Sequence, residues 1–133
     1  VTSRRLSRQR GQETLQAILA VSFVLLPVLF GIVEFGSLVH VWIGQSAAAA
    51  TGARIAGQRG EGDPVVRERI EAELGAAGLD PRQVSVDVRP AYAHWGEPIT
   101  VRLESRRRLV VPFIAAWDLP LTSTYVGRGE VNH

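Results

Sequence analysis

Cysteine is absent from this 133-residue chain, which excludes disulfide frameworks, thiolate metal sites and cysteine nucleophiles. Lysine is absent too, since all 15 basic residues are arginine. Histidine occurs three times, at His40, His94 and His133, with no spacing that would hold a metal. Ser22, Ser37 and Ser46 lie in or beside an apolar stretch, and no G-x-S-x-G elbow surrounds any of them. The Gly-rich run GQRGEGDP, from Gly57 to Pro64, lacks the Lys-Ser/Thr of a phosphate loop and reads as a linker. These gaps argue against an enzyme, and no cofactor or metal is expected.

Acidic residues are missing among Arg4, Arg5, Arg8 and Arg10, whereas from Ile43 onward 11 arginines meet 11 acidic residues. The net charge of +2 and the pI near 9.9 therefore belong to the N-terminal tail. A nucleic-acid partner is not expected from so balanced a domain.

What the chain does have is a long apolar block. No charge falls between Glu13 and Glu34. The 20 residues from Thr14 to Val33 would span about 30 Å as a helix, the thickness of a bilayer's hydrocarbon core. The residues left over are too few to surround such a helix in a soluble core. The apolar stretch is also long for a cleaved signal peptide, and no A-x-A-like site falls at a convincing place after it. A retained membrane helix is expected, crossing over about residues 15–43, with Trp42 at an interface. The four leading arginines place the N-terminus in the cytoplasm and the rest of the chain outside. Pro27 should kink the helix. Glu34 is a carboxylate at the edge of hydrocarbon, either functional or reaching water. Gly44, Ala48, Gly52 and Ala56 recur every four residues, a stripe on which another helix could pack, or simple helix propensity.

The remainder reads as a small α+β domain. Asp63-Pro64 opens a helix that Gly78 closes, with Val66, Ile70 and Leu74 on one face. Arg67-Glu71 and Arg69-Glu73 are i,i+4 pairs on its exposed side. Val84, Val86 and Val88 alternate with polar residues, as do Ile99, Val101 and Leu103, and a last strand is expected from Leu121 to Arg128. The fold class is thus α+β: a long N-terminal transmembrane helix, then one helix on a three-stranded antiparallel sheet. The boundaries are a basic leader over 1–11, the long helix over 12–57, the linker over 58–63 and the domain over 64–133. His94-Trp95 reads as a turn anchoring a hairpin. Arg106, Arg107 and Arg108 precede nine uncharged residues, LVVPFIAAW. That pattern could dock on lipid headgroups or a partner, or be a solvated charge run beside a core segment.

The leader ends RRLSRQR-Gly11-Gln12-Glu13, directly before the apolar run. This layout is similar to the cleavage region of type IV-like prepilins, which a membrane-embedded prepilin peptidase cuts after the glycine. The continuation resembles the TadE-like family of pilus-assembly pseudopilins. Gly11-Gln12, Pro27 within the helix, GIVEFG from Gly31 to Gly36, and the stretch Ala49 to Ala56 containing GAR carry the resemblance, together with a last strand ending Gly-Arg-Gly-Glu. It implies a minor component of a Tad/Flp-type pilus system in the bacterial cytoplasmic (inner) membrane. The implied partners are the prepilin peptidase, other Tad pilus subunits and pseudopilins, inner-membrane platform proteins and the lipid bilayer. One departure stands out. Counted from Gln12, the family's usual fifth-position Glu is Gln16 here, and the chain's carboxylate is second, at Glu13, about 300° of helical rotation earlier. Gln16 carries no charge to offset a buried N-terminal amine, which favours an accessory role over that of a main pilus subunit. The alternative is an uncleaved signal-anchored protein whose outer domain binds a ligand or the cell wall.

Overall fold

A computed structural model describes residues 2–132, with side chains from Gln9 onward. Helix α1 spans Thr2–Arg59, α2 spans Pro64–Ala76, and strands β1 (Val84–Arg89), β2 (Pro98–Val111) and β3 (Ala115–Arg128) follow. The chain divides into two compact units. One holds the described residues up to Phe35 with 109–117, and the other holds 36–108 with the described residues from Asp118 on.

The first unit is the apolar part of α1 with the tip of the β2–β3 hairpin. Pro27 is buried within a helix that continues through it. Most of its neighbours are exposed, among them Leu19, Val24, Phe30 and Val33. One segment of α1 is long and apolar enough to cross a membrane, and only 6% of that window is buried. A core helix of a soluble domain would be largely covered, so this surface is made for a different environment.

The second unit is the α+β domain, with one helix and a three-stranded sheet of order β1-β2-β3. β1 and β2 are antiparallel, with Val84 opposite Ser105, Val86 opposite Leu103 and Val88 opposite Val101. The period-two pattern fixes this register, because a one-residue slip would expose Ile99, Val101 and Leu103. These three are fully buried, as are Val66, Ile70 and Leu74 of α2 and Ala48, Ala49 and Ala56 of α1.

α1 is longer at both ends than the expected 12–57. It stops at Gly60, whose φ of 69° is a left-handed conformation that costs glycine little and ends helices. The Gly60 amide donates to the Ala56 carbonyl at 2.8 Å. The expected linker is stitched down: Glu61 bridges Tyr92, Gly62 N donates to Ala91 O at 2.9 Å and Ala93 N to Gly60 O at 2.7 Å. β2 and β3 also run further than expected and take in Arg106–Arg108 and the approach to Pro112. Of the two expected ion pairs on α2, Arg69–Glu73 is present at 4.0 Å. Arg67 instead donates to the Val86 carbonyl of β1 at 3.3 Å, tying helix to sheet.

Asp63 caps α2. Its carboxylate accepts from the Val66 amide at 3.0 Å and from Arg59 Nε at 2.8 Å. Burial pushes its pKa upward, but the Arg59 hydrogen bond, the Val66 amide and the Arg59 charge together hold it below the usual 3.8. A depressed folded-state value means the cap's stabilisation is fully present above the unfolded-state pKa and fades as pH falls through the lower folded one. Asp63→Ala is expected to cost about 1 kcal/mol at neutral pH. Denaturant melts at neutral pH and well below 3.8 should show this difference disappearing in acid.

Candidate functional site

Gly11 and Gln12 lie within α1 and both are exposed. Among the described residues, nothing beyond the helix's own backbone and chain neighbours lies within 4 Å of a Cβ built on Gly11. Glycine inside a helix costs about 1 kcal/mol relative to alanine, and a protease needs its scissile bond unwound, so Gly11 is a cheap place to open the helix. Thr14 works the other way, because its hydroxyl donates to the Arg10 carbonyl at 2.9 Å. Arg4, Arg5 and Arg8 of the leader have side chains outside the described residues.

Glu13 and Gln16 are both exposed. The 300° between them is equivalent to a 60° offset the other way, so as i,i+3 neighbours they occupy one side of the helix. The carboxylate is displaced along α1 by about 4.5 Å rather than turned to the opposite face. Glu34 is half-buried.

The small-residue stripe is occupied inside the chain. Gly44, Ala48, Gly52 and Ala56 are all buried. A Cβ on Gly44 would meet Ala77 Cβ at 2.9 Å and Leu79 Cδ1 at 3.2 Å, and one on Gly52 would meet Ile70 Cγ1 at 2.6 Å. Small residues let a neighbour approach here, and the neighbours are α2 and the residues after it. The same logic extends one turn further. A Cβ on Gly57 would lie 2.5 Å from the Arg128 carbonyl oxygen, and one on Gly127 would collide with the Ala53 carbonyl. Glu130 N donates to Gly57 O at 2.9 Å. The GAR stretch of α1 and the Gly-Arg-Gly-Glu end of β3 are therefore two sides of one backbone-to-backbone contact.

About two turns earlier on α1 lies a polar cluster that the sequence did not announce. Gln45 is fully buried. Its Nε2 donates to the carbonyls of Leu103 at 2.8 Å and Leu121 at 3.1 Å, and its Oε1 accepts from Ser105 Oγ at 2.6 Å. Ser46 and Ser123 share a hydrogen bond of 3.0 Å. One turn of α1 thereby grips both β2 and β3. The only hint in the sequence is that Gln45-Ser46 interrupts an otherwise small and apolar run.

Arg106, Arg107 and Arg108 are all exposed within β2. The inward register of β2 is buried at Ile99, Val101, Leu103 and Ser105, and its next member is Arg107. The strand thus leaves the core here, with arginines on both of its faces. An open groove nearby is lined by Arg82, Ser85, Arg102, Glu104, Arg106 and Thr122. Among the described residues no cluster of His, Cys, Asp or Glu could hold a metal. His94-Trp95 forms a turn: Glu97 N donates to His94 O at 3.0 Å, and His94 N to Glu97 Oε2 at 2.9 Å.

The family model described as TadE-like protein matches residues 11–54. The matched segment takes in Gly11-Gln12, Pro27, GIVEFG and the GAR stretch up to Arg54, so the TadE-like resemblance holds over the exposed helix and its first turns inside the domain. Comparison with curated proteins and with solved structures finds no match.

Proposed function

We propose that this chain is a minor pseudopilin-like component of a Tad/Flp-type pilus assembly or secretion system. A prepilin peptidase cuts it after Gly11, and α1 holds it in the cytoplasmic membrane with the α+β domain outside. The observation that carries this reading is the TadE-like match, which opens at Gly11, the residue expected to precede the cut. The exposed apolar surface of α1 supports a membrane-anchored protein, and the arginine-rich leader supports a cytoplasmic N-terminus. The stripe at positions 44, 48, 52 and 56 is filled by the chain's own domain. Contacts with other pilus subunits therefore fall to the exposed helix surface between Leu15 and Phe35.

The test is intact mass with N-terminal sequencing after co-expression with and without a prepilin peptidase. A new N-terminus at Gln12, free or cyclised, is expected only when the peptidase is present and is expected to vanish in Gly11→Ile. A chain that keeps its leader in both samples sinks the pilin reading. It would leave an uncleaved signal-anchored protein, a reading favoured by the unbroken passage of α1 through Gly11.

A further inference from the structure

The β2–β3 hairpin tip belongs to the same compact unit as the first 35 residues. The Phe113 ring lies 5.0 Å from that of Phe23, tilted by 31°. Phe23 is close to the middle of the charge-free stretch between Glu13 and Glu34. The tip itself is uncharged from Leu109 to Trp117, bounded by Arg108 and Asp118. Phe113 is 71% and Ile114 65% exposed, with Val110 and Trp117 also open. Phe113 has a φ of 66°, a left-handed conformation that favours glycine, yet an aromatic ring occupies it.

We infer that the hairpin tip Leu109–Trp117 inserts into the outer leaflet of the bilayer beside α1, with Arg106, Arg107 and Arg108 held at the lipid phosphates. The inference rests on the membrane-anchored reading of α1. Lengths are compatible with it: Leu109 to Phe113, the end of β2 and the turn, reaches at most about 13 Å, and Phe23 to Val33 about 15 Å as helix. Both elements can run from one depth to the place where their sequences become charged. The arginines choose the occupant. None of the three has an ion-pair partner among the described residues. The apolar helix of a second copy would offer the three arginines a single carboxylate at that level, Glu34. A layer of anionic phosphates complements arginines displayed on both faces of a strand. The backbone permits an insertion one leaflet deep. β2 and β3 are hydrogen-bonded neighbours, Pro112 has no N–H, and Ile114 N donates to Val111 O at 3.2 Å across the turn. The outer strand edges still need water or headgroups, which confines the tip to one leaflet.

The full chain, reconstituted in vesicles of phosphatidylethanolamine and phosphatidylglycerol, tests this with lipids brominated along their acyl chains. With Trp42→Phe and Trp95→Phe, the native Trp117 reports on the tip without altering it. Phe113→Trp with the three native tryptophans replaced reports on its deepest point, and Phe30→Trp in the same background reports on α1. Quenching is expected for Trp117, for a tryptophan at 113 and for one at 30. It should be absent when Trp95 alone is retained. Arg106, Arg107 and Arg108 changed together to Gln should at least halve the quenching at 117 while leaving position 30 unchanged. If position 30 is quenched but 113 and 117 are not, the insertion is overturned and the anchor stands. If position 30 is not quenched either, the anchor and the insertion both fall. Photocross-linking from position 113 to another copy, in place of quenching, would assign the tip to a second chain and overturn the lipid.

Discussion

Gly127→Ala is expected to lower the thermal midpoint of the α+β domain by on the order of 10–20 °C. The added methyl has nowhere to go. It would collide with the Ala53 carbonyl, with Ala53 C at 3.0 Å and Ile99 Cγ2 at 3.5 Å beyond it. A flexible side chain could rotate aside, but here the obstacle is the backbone of a helix whose Ala53 and Ala56 are packed in the core. Overpacking of a well-filled core costs about 1–3 kcal/mol, and a clash with main chain belongs at the top of that range. In a domain stabilised by about 5–10 kcal/mol that is a large share. Gly57→Ala should behave alike, since its methyl would meet the Arg128 carbonyl. Gly75→Ala is the control with the opposite sign. Nothing beyond its own helix backbone and chain neighbours lies within 4 Å of its Cβ position, and it sits in α2, so helix propensity alone should raise stability by up to about 1 kcal/mol. Circular dichroism melts of the three full-length variants in detergent decide it, and equal midpoints would show that α1 and β3 are not in backbone contact.

This contact also marks where sequence reading runs out. Periodicity shows that Gly44, Ala48, Gly52 and Ala56 share a face, and that something comes close to it. It cannot say what. A stripe suited to a neighbouring helix in a membrane is equally suited to α2 and β3 of the same chain. The partner glycine, Gly127, lies more than seventy residues from Ala53, beyond any local pattern. Strand alternation was legible where one face is buried, as in Val84–Val88 and Ile99–Leu103. It failed beyond Ser105, because Arg106–Arg108 are exposed on both faces and carry no alternation. Only pairing with β3 makes that stretch a strand. The proposed processing junction rests on signals adjacent in sequence, namely basic leader, glycine and apolar run, and needs no tertiary contact to be read.

Gln45→Leu is the second substitution expected to act strongly, because it keeps the volume and removes every hydrogen bond. Gln45 is fully buried. Its loss strands the Ser105 hydroxyl and withdraws a donor from the carbonyls of Leu103 and Leu121. Leaving a buried polar group without a partner costs about 1–3 kcal/mol. With Ser105 itself buried, about 3 kcal/mol is expected for the single change. Ser105→Ala alone should cost less, since the Gln45 amide keeps both carbonyls. In Gln45→Leu with Ser105→Ala the orphaned hydroxyl is gone, so the pair should be more stable than the sum of its single changes by about 1 kcal/mol or more. Denaturant melts of the four chains give this coupling directly. Additive effects would mean that water takes over the hydroxyl and that Gln45 only fills space. A positive coupling would make it the polar bolt that fastens β2 and β3 to α1.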